Sequence, residues 1–155
     1  MSREIKFRAL GQTDNKWHYG LLSLLKDKAA NIYENVYHTW ICDADTVGQY
    51  TGFLDENGKE IYEGDSVRIF GMNFEVINTS GSFCIASENF INYKIFEDKI
   101  LEYTGCDNSP AFSYVDNLIP LFELYWNYNE EENILNCIEV IGNIYDNPPE
   151  LLGGD

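Results

Sequence analysis

The chain has 155 residues, enough for one ordinary domain and one core, and 45 % of them are hydrophobic, which excludes long intrinsic disorder. Its 26 acidic and 10 basic residues leave a net charge of −16, which sets the chain against nucleic-acid backbones and anionic membranes and favours a basic protein surface as partner. The imbalance is uneven: residues 1–70 hold eight basic and eleven acidic side chains, net −3, and residues 71–155 hold only Lys94 and Lys99 against fifteen acids, net −13.

The first residues, Met1-Ser2-Arg3-Glu4-Ile5-Lys6, lack the apolar core of a secretory signal, and no stretch reaches the roughly 20 apolar residues of a membrane span. Cys42, Cys84, Cys106 and Cys137 are widely spaced with no C-x-x-C pair, so the expectation is a cytoplasmic protein with reduced, partly buried thiols. Ile5 to Leu10 alternates apolar and polar and predicts a half-buried strand, with Lys16-Trp17-His18-Tyr19 as its hairpin partner across a polar turn. Both segments carry basic residues, which predicts a basic face opposite an apolar one. Leu21 to Ile32 is open to two readings: a short helix with Leu21, Leu22, Leu25, Ala29 and Ile32 on one face, or a loop-and-strand passage between the breakers Gly20 and Asn31. Tyr37 to Cys42 reads as extended.

Residues 44–86 carry the clearest pattern. A strand over Thr46–Thr51 is followed by a tight turn at Asp55-Glu56-Asn57-Gly58, because Asn-Gly accepts positive φ. Strands are expected over 66–70, 73–77 and 82–86, separated by Gly71 and by Ser80-Gly81. Short strands on short turns predict a mainly β fold, with a β-rich α+β class as the variant: a small barrel or strongly curled antiparallel sheet with short helical insertions. Phe90–Phe96 and Lys99–Tyr103 read as strands or short helical pieces and Gly105–Ser113 as a loop around Pro110; Leu121–Tyr128 fits a helical stripe or a strand; Ile134–Tyr145 is the last ordered run before Asn147-Pro148-Pro149. No repeat or linker divides the chain, so residues 1–155 are expected to form a single domain with a near-neutral N-terminal and an acidic C-terminal half.

No phosphate-binding, dinucleotide, zinc-protease or nucleophile-elbow motif is present. The imidazoles are His18 and His38. His38 and Cys42 have zinc-ligand chemistry but make only two ligands. Asp43, Asp45, Asp55 and Asn57 invite a calcium reading, yet with Gly58 at the sixth loop position an EF-hand would need carboxylates where Phe53 and Gly64 stand. No metal and no cofactor is therefore expected. Glu63 and Asp65 could act as paired carboxylates of a hydrolase, although Asp65 accepting backbone hydrogen bonds at a turn is the simpler role. Tyr125, Trp126 and Tyr128, followed by Glu130, Glu131 and Glu132, join aromatic anchors to an acidic rim and form the candidate protein-binding patch. Gly52, Asn57, Gly58, Gly64, Asp65 and Gly142 are read as structural turn or bend positions.

Three segments carry a resemblance: Ile5–Leu10; Gly48-Gln49-Tyr50-Thr51-Gly52-Phe53-Leu54-Asp55-Glu56-Asn57-Gly58-Lys59-Glu60-Ile61-Tyr62-Glu63-Gly64-Asp65; and Glu139-Val140-Ile141-Gly142-Asn143-Ile144-Tyr145-Asp146-Asn147-Pro148. In composition and order they resemble the YopX family, small proteins found largely in phages and prophages of bacteria. The resemblance implies a mostly β fold and transfers no catalytic residue; Leu10 stands where the family often has Trp. Its phage setting implies binding to host proteins, including by imitation of DNA charge. The resulting expectation is a phage or prophage accessory protein that binds a basic host or phage protein through an acidic surface, more in keeping with a non-enzyme. One alternative is a small-barrel nucleic-acid-binding module with a patch of Arg3, Lys6, Arg8, Lys16, Lys26 and Lys28. The other is the carboxylate hydrolase, which would need a pocket with acids converging near His18 or His38. No membrane partner is expected, and self-association is left open.

Overall fold

The computed structural model describes residues 4–79, 81–87, 94, 98, 117–126 and 137–146. Every strand pairing with a defined register is antiparallel, and the chain divides into two compact units: Met1–Phe53 with Glu60–Glu63, and Leu54–Lys59 with Gly64–Asp155.

The first unit begins with β1 (Phe7–Leu10), β2 (Trp17–Leu24), β3 (Ala29–Tyr33) and β4 (Thr39–Asp43), continues through a 3-10 turn at Ala44–Thr46, and adds β5 (Gly48–Leu54) and β6 (Glu60–Tyr62). Their order is β4-β3-β2-β1-β5-β6. Of the two readings of residues 21–32, the strand passage holds: Leu22 faces Ile32 and Leu24 faces Ala30 across a hairpin. Strand alternation then puts Leu22, Ile32, Trp40 and Cys42 on one face and Leu21, Tyr33 and Ile41 on the other. The first set closes over Ala9, which with Ile32 and Cys42 is fully buried, and Phe7 and Val47 complete this core.

The sheet curls strongly. Beyond Leu10 the chain meets β4 through a bridge between Gly11 and Cys42, and the Gln12 amide donates to the Ile41 carbonyl at 3.0 Å. The barrel expectation needs correction, because the sheet does not close. The edge of β1 away from β2 is divided: Phe7 and Arg8 pair with β5, which leaves only the residues after β1 for β4. The curl is real, and the open end continues as β5 and β6.

The second unit has the sheet order β10-β9-β8-β7-β11, built from β7 (Asp65–Ile69), β8 (Met72–Thr79), β9 (Ser82–Ala86), β10 (Leu118–Pro120) and β11 (Glu139–Asn143). Phe70 and Gly71 make the two-residue turn between β7 and β8, with φ of 51° and 77°. Positive φ at both positions matches the twist of a tight hairpin; glycine takes it freely, whereas an aromatic residue there is uncommon. A helix α1 (Leu121–Trp126) follows β10 directly, so the ambiguous segment from Leu121 is helical as far as Trp126. Leu121 and Leu124, one turn apart, are fully buried, in keeping with a helix that lies against β9 and β10. Val67, Ile69, Val76, Ile85, Ile119 and Ile138 are likewise fully buried.

Asp55 ties the turn before Gly58 to the last strand. One of its carboxylate oxygens accepts from the amides of Asn57 and Lys59 at 2.9 and 2.8 Å, and the other accepts from Val140 at 2.9 Å. Gly58 has φ +79°, Gly64 φ +92° and Gly52 φ +90°. The pairing of β11 with β7 shifts register between Val140 and Gly142, a bulge at the glycine. Asp55 is only 6 % exposed. Replacing it with Ala orphans three amides, and the expected loss is roughly 3 kcal/mol in denaturant unfolding, with Asp55→Asn losing less because one acceptor survives.

Candidate functional surfaces

The basic residues of the N-terminal strands have specific local fates. Lys6 Nζ lies 2.7 Å from Glu60 Oε2 and 3.8 Å from a Glu4 carboxylate oxygen. The Glu60 hydrogen bond, with the charges of Glu60 and Glu4, holds the Lys6 ammonium above its ordinary pKa against the opposing pull of burial. Arg8 is 5 % exposed. Its guanidinium lies 4.6 Å from the Trp17 ring centre and 4.9 Å from that of Tyr62, and it donates to the Glu63 carbonyl at 3.5 Å. Tyr62 in turn packs against Tyr19 and Tyr50, both at 5.5 Å, and its hydroxyl donates to Glu60 at 3.2 Å. Of the expected basic face, buried Arg8 and half-buried Lys6 are therefore held by aromatic rings and Glu60, a geometry in which π faces attract the cation. Among the described members of the proposed nucleic-acid patch, Lys16, Lys26 and Lys28 are exposed, whereas Lys6 and Arg8 are engaged.

Both histidines neighbour Trp40. The His18 ring stacks on it at 4.0 Å, and that of His38 lies 6.5 Å away in a near-parallel plane. The Trp40 indole N–H donates to Glu34 at 3.0 Å. His18 Nε2 is 2.8 Å from Asp14 Oδ2. Asp14 is held below the ordinary carboxylate range first by the Lys16 amide and then by His18, with desolvation opposing both. Gly11 makes room for this pair, since a Cβ there would stand 2.1 Å from Asp14 Oδ1 and 3.0 Å from His18 Nε2. Cys42 lies inside the curl. Burial, with the charge of Asp14 adding to it, pushes its thiol up to about 11, so it is no ready nucleophile at neutral pH. His38 and Cys42 are four residues apart along an extended chain, roughly 13 Å at strand rise, and do not converge on one ion.

The carboxylates of the calcium and hydrolase readings bind locally. Asp43 accepts from the Asp45 amide, Asp55 holds its turn, and Glu63 accepts from the Gln49 amide at 3.4 Å. Asp65, at the start of β7 and opposite Asn143, is 1 % exposed. A cleft of about 300 Å³ is lined by Leu10, Gly11, Gln12, Asn15, Asp27, Lys28 and Asp43; neither histidine lines it. Of the candidate binding patch, Tyr125 and Trp126 fall in α1, while Tyr128, Glu130, Glu131 and Glu132 lie outside the described residues.

One surface went unnoticed in the sequence. The outer face of β2, β3 and β4 leaves Leu21 at 61 %, Ile41 at 57 % and Tyr33 at 39 % exposure, with Tyr19 beside them at 43 %. The available signal was that both sets of alternating positions in Tyr19–Ser23 and Asn31–Tyr33 include large apolar residues.

Two measurements check this chemistry. Lys6, Cys42 and Tyr62 all have raised values in the folded state, Tyr62 chiefly through burial. Between the unfolded and folded values the native chain holds more protons, so stability falls as pH rises. The expected melting temperature is level near neutrality and declines from about pH 9, where the unfolded thiol starts to ionise, with the Cys42 contribution lost by about pH 11; Cys42→Ala softens the first part of that decline. Arg8→Lys keeps the charge but not the flat guanidinium, and should cost about 2 kcal/mol in denaturant unfolding.

A search of curated proteins gave no match. Among solved structures, the chain is similar to protein EF1440 from Enterococcus faecalis, at 20 % identity over 97 % of this chain and 99 % of that one, with a TM-score of 0.44. No helix among the described residues is long and apolar enough to cross a membrane. The family model described as YopX protein matches residues 6–153, nearly the whole sequence, and the chain thus belongs to the YopX family.

Proposed function

We propose that this YopX-family chain is a phage or prophage accessory protein that works without catalysis, by binding a basic host or phage protein in the bacterial cytoplasm through its acidic residues. The observation that carries the reading is the fate of the N-terminal cations. Arg8 lies between aromatic rings and Lys6 is tied to Glu60, so neither is free to meet phosphates. The excess acids, concentrated in residues 71–155, then dominate the long-range field. Such a field speeds encounter with a positive surface and repels nucleic acid. Cys42, inside the curl, stands as a buried free thiol, in keeping with a reducing compartment.

Hydrolysis has less support. Asp65 is closed to solvent, and the cleft in the first unit lacks an imidazole. Nucleic-acid binding would rest on Lys16, Lys26 and Lys28 alone among the described cations of its patch.

The test is affinity capture from a lysogenic bacterial lysate with the tagged full chain, followed by titration of the captured protein. The expected result is one stoichiometric basic protein, whose affinity falls on the order of tenfold when salt rises from low to physiological ionic strength. Reproducible retention of nucleic acid at physiological salt, or binding indifferent to salt, would overturn the proposal.

A further inference from the structure

We infer that the outer face of β2, β3 and β4 is covered by a second copy of this chain, packed face to face across a two-fold axis. The argument starts from placement. Leu21 sits directly opposite Tyr33, and Asn31 directly opposite Ile41, so Leu21, Tyr33 and Ile41 form a contiguous apolar row over three strands. Tyr19 extends the row along β2, two residues before Leu21. Val36 and Tyr37, at 90 % and 88 % exposure, stand at the tip of the β3–β4 hairpin that continues it. Contiguous apolar surface of this kind on a soluble domain marks a contact site, whereas single exposed apolar residues do not.

Charge selects the occupant. The first unit holds six basic and eight acidic residues, net −2, and the second holds four against eighteen, net −14. Of the outer positions Tyr19, Leu21 and Ser23, Ala29, Asn31 and Tyr33, and Thr39, Ile41 and Asp43, only Asp43, at the far end of β4 from Tyr33 and Thr39, is charged. A basic partner gains nothing there, because the charge it seeks is on the other unit. A second copy offers the same uncharged apolar row, and a two-fold arrangement makes it self-complementary. Twisted antiparallel sheets stack face to face at about 10 Å with interleaved side chains, the geometry this row presents. A standard interface takes roughly 800 Å² from each partner, so six large side chains form its centre and the polar Ser23, Asn31 and Thr39 part of its rim.

The inference stands apart from the basic-partner reading, and salt separates the two. Binding to a basic protein weakens as salt rises, whereas two copies at −16 each repel, so their association tightens when that repulsion is screened. The experiment is sedimentation velocity of the purified full chain across concentration and salt, with no other protein present. A dimer is expected at about 10 μM, strengthening with added salt. Leu21→Asp with Ile41→Asp should raise the dissociation constant on the order of 100-fold while leaving the far-ultraviolet circular dichroism intact, since both side chains are already exposed. Phe122→Asp, on the exposed side of α1 in the other unit, should leave association unchanged. A chain still monomeric at about 200 μM would overturn the inference, as would an assembly that ignores the double substitution or yields equally to Phe122→Asp. A monomer in which the side chains of Leu21 and Tyr33 resist hydroxyl-radical oxidation would show instead that the chain covers its own face, and would overturn it too.

Discussion

A guanidinium held out of water organises the first unit. A charge removed from solvent is costly unless partners surround it. Trp17 from β2, Tyr62 from β6 and the Glu63 carbonyl supply them. Those partners come from both sides of β1 in the sheet order, so burying Arg8 requires β2 and β6 together. It also accounts for the path of the chain, which leaves the first unit at Leu54 and returns for Glu60–Glu63. The returning residues are those that close the cluster: Glu60 binds Lys6 and Tyr62, Tyr62 covers Arg8, and Glu63 lends its carbonyl.

The same strand divides the sheet into two surfaces with different roles. Ala9 faces inward, where the small side chain lets Ile32 and Cys42 close over it. The outer side carries the cation and its rings near β1, and a plain apolar row farther along at β3 and β4. Curling follows from the contrast between a dense inner face and a broad outer one, and the Gly11–Cys42 bridge is where the curl brings the chain back on itself. Gly11, at that bridge, also leaves space for Asp14 beside His18. In the second unit Asp55 has a comparable role with an opposite charge: one buried carboxylate gathers amides from its own turn and from β11.

Much of the architecture was legible in the sequence. The alternation of Ile5–Leu10, the partner at Trp17–Tyr19, and the turns at Asn57-Gly58 and before Ser82 all depend on local chemistry, and each is present. The segment from Leu21 to Ile32 was undecidable, because its leucines fit a helical period as well as a strand with apolar residues on both faces; the β2–β3 hairpin and the pairing of β3 with β4 settle it. Residues after Leu121 posed the same ambiguity, and the burial of Leu121 and Leu124 one turn apart answers it the other way. Of the candidate sites, the acidic aromatic segment ending in Glu130, Glu131 and Glu132 lies largely outside the described residues. The exposed row on β2, β3 and β4 was overlooked because its members belong to three separate strands.

Sequence by itself determined the charge, its concentration after residue 70, the β-rich class and the family, since composition, alternation and turn chemistry are properties of neighbouring residues. Tertiary structure decided what those residues are for. Arg8 and Lys6 read as members of a basic patch until Trp17, Tyr62 and Glu60 were brought beside them. Leu21, Tyr33 and Ile41 belong to no one pattern in the sequence until the pairing of three strands places them on one exposed face. Whether a side chain meets water, a ring or a partner is set by contacts between segments far apart in the chain, and no local pattern records them.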